Sequence, residues 1–139
     1  MGRKIHQFCK LTTSCLIIFA FSSNSFASDL DEIINTNKTS FQKIALEIWD
    51  LAELGYLENQ SSQLLSDELE AHGFNIEKGV AGIPTSFIAE YNNGGPIIGI
   101  LGEFDALPGL AQTNSPFKEV ADNNTGAGHA CGHHLFGAA

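Results

Sequence analysis

The run Pro96-Ile97-Ile98-Gly99-Ile100-Leu101 is apolar at successive positions, and so on both faces of any strand it forms. Such a strand needs cover on both sides, the situation of a central strand in an α/β layer structure. Asn92-Asn93-Gly94-Gly95, just before it, tolerates the positive φ of a tight turn. It is expected to join the run, as a hairpin, to a strand over residues 85–91. In that strand Thr85, Phe87, Ala89 and Tyr91 share one face. Residues 74–80 form a weaker strand candidate. Two helices are expected ahead of the strands. Thr39-Ser40-Phe41-Gln42 has the form of a capping box. Phe41, Ile44, Ala45, Ile48, Ala52 and Gly55 then recur at helical spacing, and Trp49 and Leu51 widen the stripe. The stretch from Asp29 to Ile34 either extends this helix or is separated from it at Asn35-Thr36-Asn37. Ser61 or Ser62 would cap a second helix through Leu64, Leu65 and Leu69, stopped by Gly73 after His72. Helices followed by strands, with no repeat, give an α/β fold class. In open α/β sheets ligands gather at the carboxyl ends of the strands.

Two carboxylates fall at that place. Glu103 and Asp105 sit one residue apart in Gly102-Glu103-Phe104-Asp105-Ala106-Leu107-Pro108-Gly109, directly after the apolar run. Further on, Gly128-His129-Ala130-Cys131-Gly132-His133-His134 places a thiol and an imidazole either side of a glycine. Carboxylate, thiolate and imidazole are the donors a borderline metal such as zinc prefers. Residues two apart on a helix point to nearly opposite sides, so Cys131 and His133 can share an ion only from a turn or an extended segment. Gly132 permits such a turn, and a helix is expected to start at Leu135-Phe136. Between residues 110 and 130 no periodicity is visible. A loop of this length is either disordered or functional, here lining a substrate or positioning a metal.

The start of the chain reads as an export signal over residues 1–27. Arg3, Lys4 and Lys10 are basic, Leu16-Ile17-Ile18-Phe19-Ala20-Phe21 is a short apolar core, and Ser25-Phe26-Ala27 offers small residues at a cleavage site. The core is shorter than the roughly 20 residues that span a bilayer. The expected location is periplasmic or secreted, with no membrane attachment after cleavage. Removal of the leader keeps all 16 acidic residues of the chain against only Lys38, Lys43, Lys78 and Lys118, a formal balance of −12. That surface repels nucleic acid and anionic lipid. Of three cysteines only Cys131 would remain, without an internal disulfide partner. In an oxidising compartment a metal would protect it. The chain breaks off at Leu135-Phe136-Gly137-Ala138-Ala139, a few residues into that helix. Residues 28–139 are therefore expected to be the truncated N-terminal part of a larger catalytic domain.

The two motifs closely resemble those of the dinuclear metallohydrolases related to aminoacylase and carboxypeptidase G. They are nearest the amidohydrolase branch that includes the aminobenzoyl-glutamate hydrolases and the indole-acetyl-amino-acid hydrolases. Ala52-Glu53-Leu54-Gly55-Tyr56-Leu57-Glu58 resembles the segment before that family's second helix. The resemblance implies a mixed-sheet α/β metallohydrolase domain holding two divalent ions, zinc or manganese. It implies Cys131 and His133 as metal ligands and Asp105 as the aspartate that supports the metal centre. Glu103 stands where the peptidase branches have histidine, and its role is left open. His134 stands where many relatives have aspartate or asparagine, and is read as structural or substrate-facing. His129 matches without a ligand role. The family's catalytic glutamate, remaining ligands and dimerisation domain have no counterpart in these residues. The implied reaction is hydrolysis of the amide bond of an N-acyl or aminobenzoyl amino acid, or of a dipeptide-like substrate, by a homo-oligomer. Two other readings stay open: a thiol hydrolase using Cys131 with His133 or His134, and an exported metal-binding module without catalysis.

Overall fold

The structure, a computed structural model, describes residues 25–139, with side chains from residue 29 onward. Most of the expected export signal lies outside the described residues. The chain divides into two compact units, Met1–Thr36 and Asn37–Ala139, and everything that bears on the site lies in the second. No helix among the described residues is long and apolar enough to cross a membrane.

Helix α1 runs Ser25–Leu51 and α2 runs Asn59–Ala71. The capping box at Thr39 is not used, because α1 passes through it and through Asn35-Thr36-Asn37 without a break. The expected stripe is buried over its second half: Ile44, Ala45, Ile48 and Ala52 are covered, whereas Phe41 and Gly55 are exposed. Ile44 and Ile48 pack with Leu65 of α2, and Leu64, Phe87, Phe104 and Ala138 close around them. At about 25 cal/mol per Å² of apolar surface, a fully buried isoleucine such as Ile48 contributes roughly 2 kcal/mol.

Helix α2 begins earlier than the serines suggest. Its N-cap residue, Glu58, makes no side-chain cap bond. The Glu53 carboxylate does that work from outside the helix, accepting the backbone N–H groups of Gln60 and Ser61 at 3.0 and 2.8 Å and the Ser61 hydroxyl at 2.8 Å. Ser62 instead donates to the Thr85 carbonyl at 2.7 Å, and Thr85 donates to the buried Glu58 carboxylate. The helix stops as expected. Gly73 has φ +88° and bonds to the Glu70 carbonyl, and Phe74 bonds to that of Leu69, a paired closure that satisfies two terminal carbonyls.

Burial acts to raise the Glu53 carboxyl, but the bonds from Ser61 and Gln60 outweigh it and hold the group below its ordinary value. A carboxyl lowered by folding adds stability above its unfolded pKa, and that stability is lost as pH falls through the folded one. Glu53→Ala should therefore cost about 1–2 kcal/mol at neutral pH, the range of a lost cap. The difference from wild type should shrink on acidification. Urea midpoints measured from neutral to acid pH check this, and a pH-independent difference would refute it.

Strands β1 (Asn75–Lys78) and β2 (Phe87–Glu90) pair antiparallel, with Ile76 opposite Ala89. Strands β3 (Leu107–Pro108) and β4 (Ala127–Gly128) form a second antiparallel pair, and Leu54 makes a lone parallel bridge to Ala106. Helices with small sheets realise the expected α/β class. The central strand is the correction. Residues 97–101 form no strand, and Ile97, Ile100 and Leu101 are 100%, 93% and 77% exposed. The hairpin into that run is also absent. Asn92 accepts the Gly94 N–H and turns the chain, but no ladder follows, since β2 takes its partner from β1. A run apolar on both faces becomes a covered strand only when neighbours supply strands and layers on either side. Among the described residues no strand pairs with it.

Candidate functional site

Segment 103–108 is pinned on two sides. The Ala106 N–H donates to the Glu53 carbonyl at 2.7 Å, beside the bridge to Leu54. Leu107 and Pro108 lie against Gly128 and Ala127, and Gly109 donates to Gly126 at 3.0 Å. Ala52, Ala106 and Ala127 are buried together where these elements meet, and their small side chains permit the close approach. Asp105 is thereby set between two anchors. Helix α3 (His133–Ala138) closes on the same segment. A methyl at Gly137 would stand 2.9 Å from the Phe104 Cβ and 3.3 Å from the Glu103 carbonyl oxygen, so the helix backbone lies directly on residues 103–104.

The second motif leaves β4 at Gly128 and buries His129, which is only 4% exposed. The His129 ring lies with Nε2 3.0 Å from the Ile48 carbonyl at the end of α1. A carbonyl only accepts, so Nε2 carries the proton and the buried Nδ1 is left without a partner. Burial lowers the His129 pKa, with a contribution from His133, against the raising effects of the Ile48 bond and of Asp105. His134 packs edge-on to Trp49 at 4.9 Å and lies 5.1 Å from the His129 ring. Its pKa is lowered by burial and then by His129. Both rings thus pack around Trp49. For His134 the sequence leaves that role open beside a substrate-facing one.

Between them the chain turns. Gly132 has φ +78°, its N–H bonds to the His129 carbonyl, and α3 starts at His133 rather than at Leu135. The turn required between Cys131 and His133 is therefore present. It carries the His133 ring to the pinned segment, with Nδ1 2.8 Å from Asp105 Oδ1 and Nε2 3.1 Å from Glu103 Oε2. The site so formed is Glu103–His133–Asp105. Cys131 is exposed and bonds to neither histidine. Among the described residues no three of His, Cys, Asp and Glu converge on one position suited to a metal ion. The sequence points to His133 and Asp105 but not to the contact of Glu103 with His133. The one available signal is the place of Glu103 two residues before Asp105. The 110–130 loop is internally bonded: Gln112 donates to the Phe117 carbonyl at 2.8 Å and Thr113 to the Glu119 carboxylate at 2.9 Å.

No family model matches the chain. Over 110 residues it is 37% identical to a subunit of the p-aminobenzoyl-glutamate hydrolase of Escherichia coli, covering 79% of this chain and 23% of that protein. It is 30% identical over 93 residues to the hippurate hydrolase of Campylobacter jejuni, covering 67% and 24%. It is 32% identical over 93 residues to thermostable carboxypeptidase 1 of Saccharolobus solfataricus, covering 66% and 23%. These names are those of hydrolases and a peptidase, which sets the class. The chain belongs to that family of amidohydrolases and peptidases, and spans about a quarter of the length of these relatives.

Proposed function

We propose that these residues form part of the active site of a metal-dependent amidohydrolase that releases an amino acid from an N-acyl or aminobenzoyl amino acid. The observation that carries the reading is the 2.8 Å bond between His133 Nδ1 and Asp105. A carboxylate on one imidazole nitrogen fixes the tautomer and turns the other nitrogen outward, the relation that holds metal-ligating histidines in place. With Cys131 on the same turn, the donor chemistry fits a borderline divalent ion such as zinc or manganese.

In this reading Cys131 and His133 hold the metal and Asp105 orients His133. Trp49, His129 and His134 brace the turn from behind. Bound divalent ions lower the pKa of a water and polarise the scissile carbonyl. The general base that takes the water's proton is assigned to no residue here, so the 139 residues alone are expected to turn over no substrate. Two of the relatives are named for aroyl amino acids, p-aminobenzoyl-glutamate and hippurate, which supports that substrate class. The thiol-hydrolase alternative is less well supported, because Cys131 bonds to neither His133 nor His134 among the described residues. Export through residues 1–27 and assembly as a homo-oligomer belong to the same proposal.

The test uses the full-length protein expressed with its own leader. It should be recovered outside the cytoplasm with Ser28 at its amino terminus. It should also release amino acid from benzoyl or aminobenzoyl amino acids, and lose that activity on chelation. Activity that survives exhaustive chelation would refute the metal reading, and no turnover across such a panel would refute the substrate class.

A further inference from the structure

We infer that Asn93 is a modification site, converting without an enzyme to aspartate and isoaspartate through a ring closed by the Gly94 nitrogen. Asparagine is among the chemically labile residues. The backbone nitrogen of the next residue loses its proton to hydroxide and attacks the side-chain amide carbon. The new N–C bond closes a succinimide, and the side-chain nitrogen takes up a proton from water and leaves as ammonia. Water then adds at either ring carbonyl and breaks its bond to the ring nitrogen. Breaking the bond to the former side-chain carbon gives aspartate in an unchanged backbone. Breaking the other gives isoaspartate, whose backbone runs through the former side chain. The net change consumes a water, releases an ammonia and leaves a carboxylate.

Asn93 alone among the asparagines of the chain is followed by glycine, so no side chain crowds the attacking nitrogen. Gly94 and Gly95 have φ +72° and +110°, and nothing lies within 4 Å of where a Cβ on either would stand. The Asn93 side chain is exposed and makes no hydrogen bond among the described residues. Residues 91–105 belong to no helix or strand, so no ladder must break as the ring closes. Asn123 is the opposite case. Its amide is held at both ends, Nδ2 donating to the Ala127 carbonyl at 2.9 Å and Oδ1 accepting the Gly126 N–H at 2.8 Å. Asn92 restrains the reaction at its neighbour. Its Oδ1 accepts the Gly94 N–H at 3.1 Å, a bond to the protonated nitrogen that opposes loss of that proton. Conversion adds a negative charge to a chain already at −9, in the loop between β2 and the segment that leads to Glu103.

The 139-residue chain, held in mildly alkaline buffer and sampled over days, tests this by tryptic mapping with mass spectrometry. Asn93 lies in the peptide from Gly79 to Lys118, which also carries Asn92 and Asn114 as internal comparisons. Fragmentation that distinguishes isoaspartate should place both products at Asn93, with Asn92, Asn114 and Asn123 unchanged over the same period. Asn92→Ala should speed the conversion by about 2–10-fold, the factor that corresponds to losing a hydrogen bond of ordinary strength. Its thermal midpoint should match wild type, so that the faster conversion does not come from unfolding. No conversion at Asn93, or conversion at Asn114 or Asn123 ahead of it, overturns the site. An Asn92→Ala rate equal to that of wild type overturns the restraint by the Asn92 amide.

Discussion

Gly128→Ala should unfold the site without touching any side chain in it. A methyl on Gly128 would overlap the Leu110 carbonyl oxygen and lie 2.8 Å from its carbon. Both atoms are backbone, so no rotamer change relieves the clash. The relief must come from moving the Leu110–Ala111 backbone away from β4, next to the pairing of Leu107 with Gly128. His129, the next residue, would be dragged from its bond to the Ile48 carbonyl. That bond contributes about 1 kcal/mol, and breaking it leaves a second buried ring nitrogen unpaired. Overpacking alone costs about 1–3 kcal/mol, and a backbone-on-backbone clash belongs at or above the top of that range. Gly99→Ala is the control, with nothing within 4 Å of the added methyl. It should change stability by no more than about 0.5 kcal/mol. Thermal unfolding of both variants beside wild type decides the matter. An unchanged midpoint for Gly128→Ala would mean that the Leu110 backbone does not approach Gly128 as closely as described.

The same glycine shows where sequence reasoning runs out. Gly128 belongs to a recognisable motif, but its own need is spatial. Nothing in its neighbours announces that the Leu110 carbonyl will pass beside it. Periodicity succeeds where a face is set locally: Ile44, Ala45 and Ile48 on α1, and the alternation that covers Thr85, Phe87 and Ala89 while exposing Ile88. It fails where a remote group decides. The capping of α2 comes from Glu53, so Ser61 and Ser62 misplace the helix start. The run at 97–101 is apolar enough for a central strand, but pairing is a property of neighbours, and none of the described strands pairs with it. For the site, the requirement for a turn at Gly132 is legible from the spacing of Cys131 and His133. The meeting of His133 with Asp105 is not. It depends on the bridge from Leu54 to Ala106, on the β3–β4 pair and on the close seat of Gly137 over residues 103–104, contacts that join stretches far apart in the chain.

Substitution of the two implied ligands should have the larger effect on chemistry. In the full-length protein, His133→Ala removes both the donor at Nε2 and the group that Asp105 orients. Cys131→Ser replaces a thiolate by a hydroxyl that stays protonated and binds zinc or manganese poorly. Each should lower metal content and initial rate by more than about 100-fold, beyond what loss of an orienting partner produces. Asp105→Asn is that lesser case. His133 keeps its ring but loses the carboxylate that fixes its tautomer, and the cost should fall in the range of about 10–100-fold. His134→Asn separates ligation from packing on the same turn. His134 sits edge-on to Trp49 and contacts His129, so its loss should cost about 0.5–1.5 kcal/mol of stability while metal stays bound. Metal content by atomic emission, set beside initial rates and thermal midpoints, reads all four variants at once. The assignment requires the order His133→Ala and Cys131→Ser, then Asp105→Asn, then His134→Asn in metal lost. If His134→Asn strips the metal and Cys131→Ser retains it, the ion is held by the histidine pair, and the exposed Cys131 thiol has no part in it.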